Sequence, residues 1–253
     1  MIDLNHLYVV VDLPTYQAIR DSDLVRSLAC TYEQKNQAEG QLDWEGFYIR
    51  GKNTYIEFFY PQARYPKSTI SGIALGTDTL GQLEDIFQLF KSKYQNAMRG
   101  NFSRNGRSWF DYVTVGDSFF QEKHSFWIME YSKDDFNENP QDISPRHYNA
   151  ERFDPSKSFL DVTEVSIALN PIGLERLSSY LQTSGLPQLD KRLYQTESGI
   201  KISLLEETSE RKGIYQLRFS VSKGISPSSN SALGSSSLII TDKQATWDFE
   251  SDK

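Results

Sequence analysis

The sequence predicts an α+β fold made of repeated units, each with one strand, one helix and three further strands. Apolar runs at 7–14, 73–80 and 165–172 each contain an Asp or Asn, and the apolar residues that follow it recur at the spacing of a helix. Each predicted helix is followed by short segments with the composition and alternation of strands. We expect two complete units and a third that is extended by extra strands, at 1–62, 70–132 and 159–253.

The helix starts are predicted at Asp12, Asp78 and Asn170, because these side chains accept a free backbone N–H of the first helical turn. Pro171 fits the first helical position, where its missing N–H costs nothing. The polar stretch at 20–23 is expected to interrupt or kink the first helix. The apolar residues at helical spacing after the second and third caps are Leu80, Leu83, Phe87 and Phe90, then Leu174, Leu177 and Leu181, with Gly185 as the stop.

Strand-like segments complete each unit. A polar segment with three prolines at 133–158 is predicted to be a linker or a lid, in which Arg146 and His147 would add polar groups to a site. A Ser- and Gly-rich segment at 223–235 is expected to be a flexible loop. The predicted strands are 30–37, 44–51 and 53–60; 97–104, 108–115 and 125–132; and 191–196, 199–207 and 214–222, with 236–242 and 245–251 closing the chain.

Composition limits the classes of function. The only cysteine is Cys30, so an internal disulfide and a cysteine-rich zinc site are excluded. The net charge of −7 argues against nucleic acid as a partner. Arg99, Arg104 and Arg107 form either a solvated strand edge or an anion site. The apolar runs are far shorter than the roughly 20 residues of a membrane helix, and the start does not resemble a signal peptide. We therefore expect a cytoplasmic protein.

Five segments together resemble a known superfamily. They are "LNHLYVVVD" at 4–12, "GKNTYIEFF" at 51–59, "SGIALGTD" at 71–78, "WIMEY" at 127–131 and "SLIITDKQATWDFE" at 237–250. In this order they resemble the vicinal oxygen chelate superfamily of glyoxalases, bleomycin-resistance proteins and extradiol dioxygenases. More closely, the chain resembles an uncharacterised bacterial family of glyoxalase-like proteins. The resemblance implies tandem units that form a cupped, incomplete barrel around a small-molecule site.

The resemblance also implies metal ligands on the first and last strands of each unit. At these positions the sequence has His6 and Glu57 in the first unit and Glu130 in the second. Gly72 falls where a second histidine is expected, and Glu164 of the third unit is a further candidate. One histidine with carboxylates suits Fe, Mn, Ni or Zn. Glu57 and Glu130 are the candidates for a general base in catalysis.

Strand alternation predicts an aromatic pocket around His6 and Glu57, with Leu4 and Val10 on the same face as His6. A mostly apolar wall with few polar groups is typical of small-molecule sites. The predicted pocket residues are Tyr8, Trp44, Tyr48, Tyr55, Phe59, Trp109 and Trp127.

Structural roles compete with each of these assignments. His6 also fits a strand histidine bonded to Glu57 or to backbone, and Glu57 also fits a partner of Arg50 or Lys52. The aromatic residues would equally fill a core, and His124 is expected in an exposed loop.

Three functions therefore stay open. The first is a divalent-metal-dependent lyase, isomerase or oxygenase that acts on a small molecule, and His6 with Glu57 supports it. The second is a protein that binds or sequesters a small molecule without metal, and Gly72 favours it. The third is a structural domain with a filled core. An odd number of units leaves open strand edges, which a homodimer would cover.

Overall fold

The computed structural model describes residues 2–36, 44–63, 70–104, 106–116, 124–132, 153–222 and 229–249. In this part of the chain the backbone forms two eight-stranded sheets and four helices. Most of the predicted linker at 133–158, including Arg146 and His147, lies outside the described residues.

The first sheet holds strands β1 (Ile2–Val10), β2 (Cys30–Asn36), β3 (Trp44–Arg50), β4 (Tyr55–Phe59), β5 (Ser71–Thr77), β6 (Ala97–Arg104), β7 (Arg107–Val115) and β8 (His124–Tyr131). Their order across the sheet is β2-β3-β4-β1-β5-β8-β7-β6. β1 and β5 are antiparallel neighbours at the centre, and each pairs in parallel with the last strand of its own half, β4 or β8. Each half therefore follows the strand, helix and three-strand pattern.

The second sheet holds strands β9 (Phe159–Leu169), β10 (Gln188–Asp190), β11 (Leu193–Gln195), β12 (Lys201–Glu206), β13 (Gly213–Val221), β14 (Ser229–Leu233), β15 (Ser236–Ile240) and β16 (Gln244–Phe249). Their order is β10-β11-β12-β9-β13-β16-β15-β14, with β9 and β13 antiparallel at the centre. This differs from the prediction in two ways. The segment at 214–222 starts the second half of this sheet, and residues 229–233 of the predicted loop form a strand.

The helices are α1 (Leu13–Asp21), α2 (Asp23–Leu28), α3 (Gln82–Lys93) and α4 (Pro171–Thr183). Asp12 and Asn170 cap α1 and α4 as predicted. Each side chain accepts a hydrogen bond, at 2.8 Å, from the backbone N–H three residues further along the chain. Ser22 ends α1 and begins α2, which agrees with the predicted interruption. None of the helices in the described part of the chain is long and apolar enough to cross a membrane.

The cap predicted for α3 is wrong. That helix begins at Gln82, and Gly81 precedes it with a φ of 86° and no side-chain cap of its own. Glu130 of β8 caps it instead, because its carboxylate accepts from Gly81 N at 2.9 Å and from Leu83 N at 3.0 Å. Thr77 Oγ1 also donates to Glu130 at 3.2 Å. The first turn of α3 is therefore held by a strand that lies 47 residues further along the chain.

One hydrophobic core joins the two sheets and the helices. Phe58 of the first sheet contacts Trp247 of the second with ring centroids 5.0 Å apart, and Phe126 stacks on Tyr180 of α4 at 6.0 Å. In the first sheet these core residues lie on one face, alternating along each strand with residues of the other face. The second face of the first sheet is therefore left for another role.

Candidate functional site

The face of the first sheet opposite the core, which we call the aromatic face, carries two adjoining aromatic clusters. One cluster lies on β1 and β4 with their neighbours, the other on β7 and β8. Trp127 packs against both and so joins them. The buried members are Tyr8, Tyr48, Tyr55 and Phe59 in the first cluster, and Ala74, Phe110, Met129 and Tyr131 in the second.

A β-bulge in β1 shapes the polar part of this face. Leu4 pairs with Leu75 of β5 and His6 with Ala74, so Asn5 is the extra residue without a Cα partner. The bulge shifts the alternation by one residue, and Leu4 packs in the core, not with His6 as predicted. Residues adjacent in a regular strand point to opposite faces, but the bulge places the side chains of Asn5 and His6 in contact with each other.

Asn5 and His6 form a buried polar pair at the junction of the two clusters. Nδ1 of His6 donates to Oδ1 of Asn5 at 2.6 Å, and the hydroxyl of Tyr131 donates to the same oxygen at 3.3 Å. The His6 ring stacks on Tyr55 at 4.5 Å and meets the edge of Trp127 at 5.2 Å. His6 is therefore fixed by rings on two sides and by an amide at Nδ1.

Eight side chains of the aromatic face form a closed ring of contacts. Each contacts the next at centroid or cation distances of 4.5 to 6.2 Å. The members, in order around the ring, are Tyr32, Tyr48, Phe59, Tyr8, Trp127, His6, Tyr55 and Arg50.

Glu57 lies at the centre of this ring. In the sheet it is flanked by Tyr8 of β1 and Tyr48 of β3, and along β4 by Tyr55 and Phe59 on the same face. The four aromatic neighbours are buried, whereas Glu57 keeps partial exposure. A carboxylate surrounded by aromatic walls and still reachable is a suitable contact for the polar group of a small molecule.

Arg50 supplies a buried cation at the edge of the ring. Its guanidinium lies 4.5 Å from the ring centroid of Tyr32 and 5.2 Å from that of Tyr55, and Nη2 donates to the Tyr32 hydroxyl at 2.7 Å. Only 7 % of Arg50 is exposed. Stacking on two rings compensates part of the cost of burying this charge.

Two of the predicted site residues lie elsewhere. Glu130 alternates with Trp127 and Met129 along β8, so its side chain lies on the opposite face and caps α3. Glu164 belongs to the second sheet, where Oε2 lies 3.5 Å from Arg218. These corrections remove Glu130 and Glu164 from the site, and leave His6 and Glu57 together on the aromatic face.

The predicted pocket residues are brought together except for two. Tyr8, Tyr48, Tyr55, Phe59 and Trp127 all belong to the ring around Glu57. The side chain of Trp44 lies outside the described part of the structure. Trp109 is the extra residue of a bulge between β6 and β7, and its ring meets Phe110 at 4.9 Å in the other cluster.

Gly72 has a packing reason that the sequence did not reveal. A Cβ at this position would lie 2.2 Å from Cε1 of Tyr8, because the Tyr8 ring crosses β5 here. The Tyr8 hydroxyl continues over the strand and donates to Ser125 Oγ at 2.7 Å. The Tyr8 ring thus occupies the space that a side chain at residue 72 would need.

The other basic and histidine candidates have structural surroundings. His124 is buried at the start of β8, where Nδ1 lies 2.7 Å from Ser71 Oγ, so the predicted exposed loop is wrong. Arg99 forms ion pairs with Glu84 and Asp111, so it is a solvated strand-edge residue, which was one of its two predicted roles.

The described residues do not fit a resident divalent metal. A facial triad needs three donors. Of the predicted ligands, only His6 and Glu57 share a face of the first sheet. The described residues contain no group of three His, Cys, Asp or Glu side chains that could hold a metal ion. At the positions across the central strands the chain has Ala74 and Trp127.

Sequence reasoning missed Asn5, Tyr32, Arg50 and Tyr131 as parts of this site. Arg50 and Tyr32 were within reach, because Tyr48 and Arg50 share a face of β3 and β2 pairs with it. Asn5 was not, because its direction depends on the bulge.

Several solved structures are similar to this chain at low sequence identity. A hypothetical protein from Staphylococcus aureus is 7 % identical with a TM-score of 0.56, over 92 % of this chain and 96 % of that one. A fusion of a xylose isomerase-like TIM barrel with 4-hydroxyphenylpyruvate dioxygenase is 10 % identical with a TM-score of 0.49, over 87 % and 36 %. A triple mutant of 4-hydroxymandelate synthase from Streptomyces coelicolor is 15 % identical with a TM-score of 0.44, over 79 % and 61 %.

The likeness to the Staphylococcus aureus protein concerns the fold alone, since the two sequences share so few residues. The TM-scores of the two enzymes lie below 0.5, so neither indicates a shared activity. No curated protein matches the chain. One family model matches residues 4–249, nearly the whole length. The chain therefore belongs to the family of unknown function DUF5829.

Proposed function

We propose that this protein binds a small, planar organic molecule on the aromatic face, with Glu57 as its central polar contact and without a resident metal. The single observation that supports the proposal is the closed ring of seven aromatic or imidazole rings and one guanidinium around Glu57. Glu57 keeps partial exposure while the four rings beside it are buried, so this face presents a carboxylate within an apolar surface, as small-molecule sites do.

The chemistry of the ring selects the ligand. Flat rings on Trp127 and Tyr32 remain partly exposed and offer surfaces for stacking. Glu57 accepts hydrogen bonds, so the bound molecule needs a donor such as a hydroxyl or an N–H group. The same arrangement would bind and sequester such a molecule, or hold it for proton transfer to the carboxylate.

Phenol is a suitable probe, because it combines a flat ring with one hydroxyl donor. Its affinity is measured by titration calorimetry with wild type and with Glu57→Gln, which keeps the shape and removes the charge. We expect saturable binding that weakens about tenfold or more in the variant, as for a hydrogen bond to a charged group.

Glu164→Gln is the matched control, since it makes the same change in the second sheet. It is expected to leave phenol binding unchanged. Absence of saturable binding by wild type, or equal weakening by both variants, would contradict the proposed site.

A metal-dependent lyase, isomerase or oxygenase is the second candidate, and one observation favours it. His6 and Glu57 lie on neighbouring strands of one face, with His6 beside Tyr55 and Glu57 two residues further along β4. The two side chains provide an imidazole and a carboxylate, which fall one donor short of a triad.

Titration of the purified protein with Fe(II), Mn(II), Ni(II) and Zn(II) separates the two candidates. The proposed metal-free binding protein should take up phenol equally before and after treatment with a chelator. Tight, stoichiometric uptake of one ion that both His6→Ala and Glu57→Gln abolish would instead establish the metal-dependent candidate.

A further inference from the structure

The side chain of Asn5 is the most unusual polar group on the aromatic face. It sits in the bulge of β1 at the junction of the two aromatic clusters, between His6 and Tyr131, and is fully buried. Its position is built by the fold, because the bulge brings the side chain to this face.

The two polar atoms of the Asn5 amide differ in their hydrogen bonding. Oδ1 receives hydrogen bonds from His6 Nδ1 and from the Tyr131 hydroxyl. Nδ2 has no hydrogen-bond partner among the described residues. Rotating the amide by 180° would exchange the two atoms, but one of them would still be unpaired. An unpaired buried donor is unfavourable, so its presence needs a physical reason, such as a bound molecule that accepts from it.

We propose that Asn5 Nδ2 donates a hydrogen bond to an oxygen of the bound molecule, so the ligand carries a carbonyl or carboxylate oxygen as well as the donor that faces Glu57. This inference rests on the proposed binding function and names the second polar feature of the ligand. His6 and Tyr131 hold the amide by its oxygen, which leaves the N–H groups for the bound molecule.

The surroundings support an oxygen acceptor attached to a flat molecule. Asn5 touches both clusters through His6 and Tyr131, and Trp127 and Tyr55 lie against the His6 ring. A planar molecule that stacks on these rings places its substituent near Asn5, and only an acceptor satisfies the free N–H.

A pair of matched probes tests this acceptor. The probes are para-hydroxyacetophenone and para-hydroxy-α-methylstyrene, which share a planar skeleton and a hydroxyl donor for Glu57. They differ in one group, which is a carbonyl oxygen in the first probe and a methylene group in the second. Their affinities are measured with wild type, with Asn5→Asp and with Asn5→Leu. Asn5→Asp keeps an oxygen for His6 and Tyr131 and removes the N–H donor. In both variants we expect the affinity for para-hydroxyacetophenone to fall by about fivefold or more relative to that for para-hydroxy-α-methylstyrene, as for one hydrogen bond.

A measurement on wild type covers the case in which the variants fail to fold. The side-chain amide signals of Asn5 in a ¹⁵N-correlated spectrum should shift with para-hydroxyacetophenone and stay in place with para-hydroxy-α-methylstyrene. If both probes bind, but the affinity ratio and the amide signals are unchanged, the role of Asn5 is overturned and the binding site stands. An amide that bonds only to a trapped water gives that same result. If neither probe binds wild type, the proposed function falls together with the inference.

Discussion

At the scale of single residues, the site depends on which face each side chain takes. His6 and Glu57 were predictable, because alternation along two neighbouring strands places them together. Asn5 and Glu130 were not predictable. The first is redirected by a bulge, and the second bonds to a helix that is distant in sequence. A bulge changes the phase of a strand without leaving a residue pattern that marks it.

Gly72 provides a prediction at this scale. In Gly72→Ala the new Cβ would lie 2.2 Å from Cε1 of Tyr8 and would collide with that ring. The collision would also disturb the hydrogen bond from the Tyr8 hydroxyl to Ser125. We expect a loss of about 1–3 kcal/mol in the free energy of unfolding, as for overpacking in a core. Urea denaturation measures it.

The double variant Gly72→Ala with Tyr8→Ala identifies the cause. Once the ring is removed, adding the methyl group should cost much less than it does in wild type. An equal cost in both backgrounds would show that the Tyr8 ring is not the reason for glycine.

At the scale of elements, helix spans were more predictable than helix ends. Apolar spacing located α3 and α4, and Asp12 and Asn170 cap by contacts within three residues. The start of α3 was placed too early, because Asp78 looks like a cap while the capping carboxylate belongs to Glu130. Local sequence does not carry information on a cap supplied through tertiary structure.

The cap of α3 gives the second prediction. Glu130→Ala removes an acceptor for Gly81 N, Leu83 N and Thr77 Oγ1, so the free energy of unfolding should fall by about 1–2 kcal/mol. Hydrogen exchange should accelerate most in the first turn of α3. Asp78→Ala, which removes the cap that the sequence indicated, should have the smaller effect. A larger loss in Asp78→Ala would contradict the assignment.

At the scale of the whole molecule, three carboxylates connect the two sheets. Asp3 accepts from Ser198 Oγ at 2.6 Å, and Asp12 from Ser235 Oγ at 2.8 Å. Asp161 of β9 accepts from Asn53 N at 2.7 Å and from Thr54 N at 2.9 Å. Burial raises the pKa of Asp161, and these hydrogen bonds oppose the rise.

The number of units was harder to predict than their type. Three helix-linked units were recognisable, but the last four strands form a half-sheet of their own without an intervening helix among the described residues. As a result β16 runs antiparallel to β13, whereas β12 runs parallel to β9. The strand at 229–233 is composed of Ser, Asn, Ala and Leu, a composition typical of a loop.

Asp12 gives a pH prediction at this scale. Partial burial alone would raise its pKa, but hydrogen bonds from Thr15 and Ser235 outweigh it, so the pKa lies below its ordinary value. A lowered folded-state pKa adds stability above the unfolded-state value of 3.8 and loses it as pH falls through the folded-state value.

Asp12→Asn should therefore be less stable than wild type at pH 7, by about 1 kcal/mol. The difference should shrink as the pH falls below the unfolded-state value of 3.8, because the unfolded chain takes up a proton at Asp12 before the folded chain does. Urea denaturation at several pH values measures it. A difference that is the same at pH 7 and at pH 3 would contradict the ionic contribution.

The location of a bound molecule tests the central proposal most directly. Intermolecular nuclear Overhauser effects between para-hydroxyacetophenone and ring protons of the isotopically labelled protein report which side chains surround the probe. The proposed function predicts contacts with Trp127, Tyr55 and Phe59, in the ring around Glu57. Saturable binding with contacts only to the second sheet, or to none of these three rings, would contradict it.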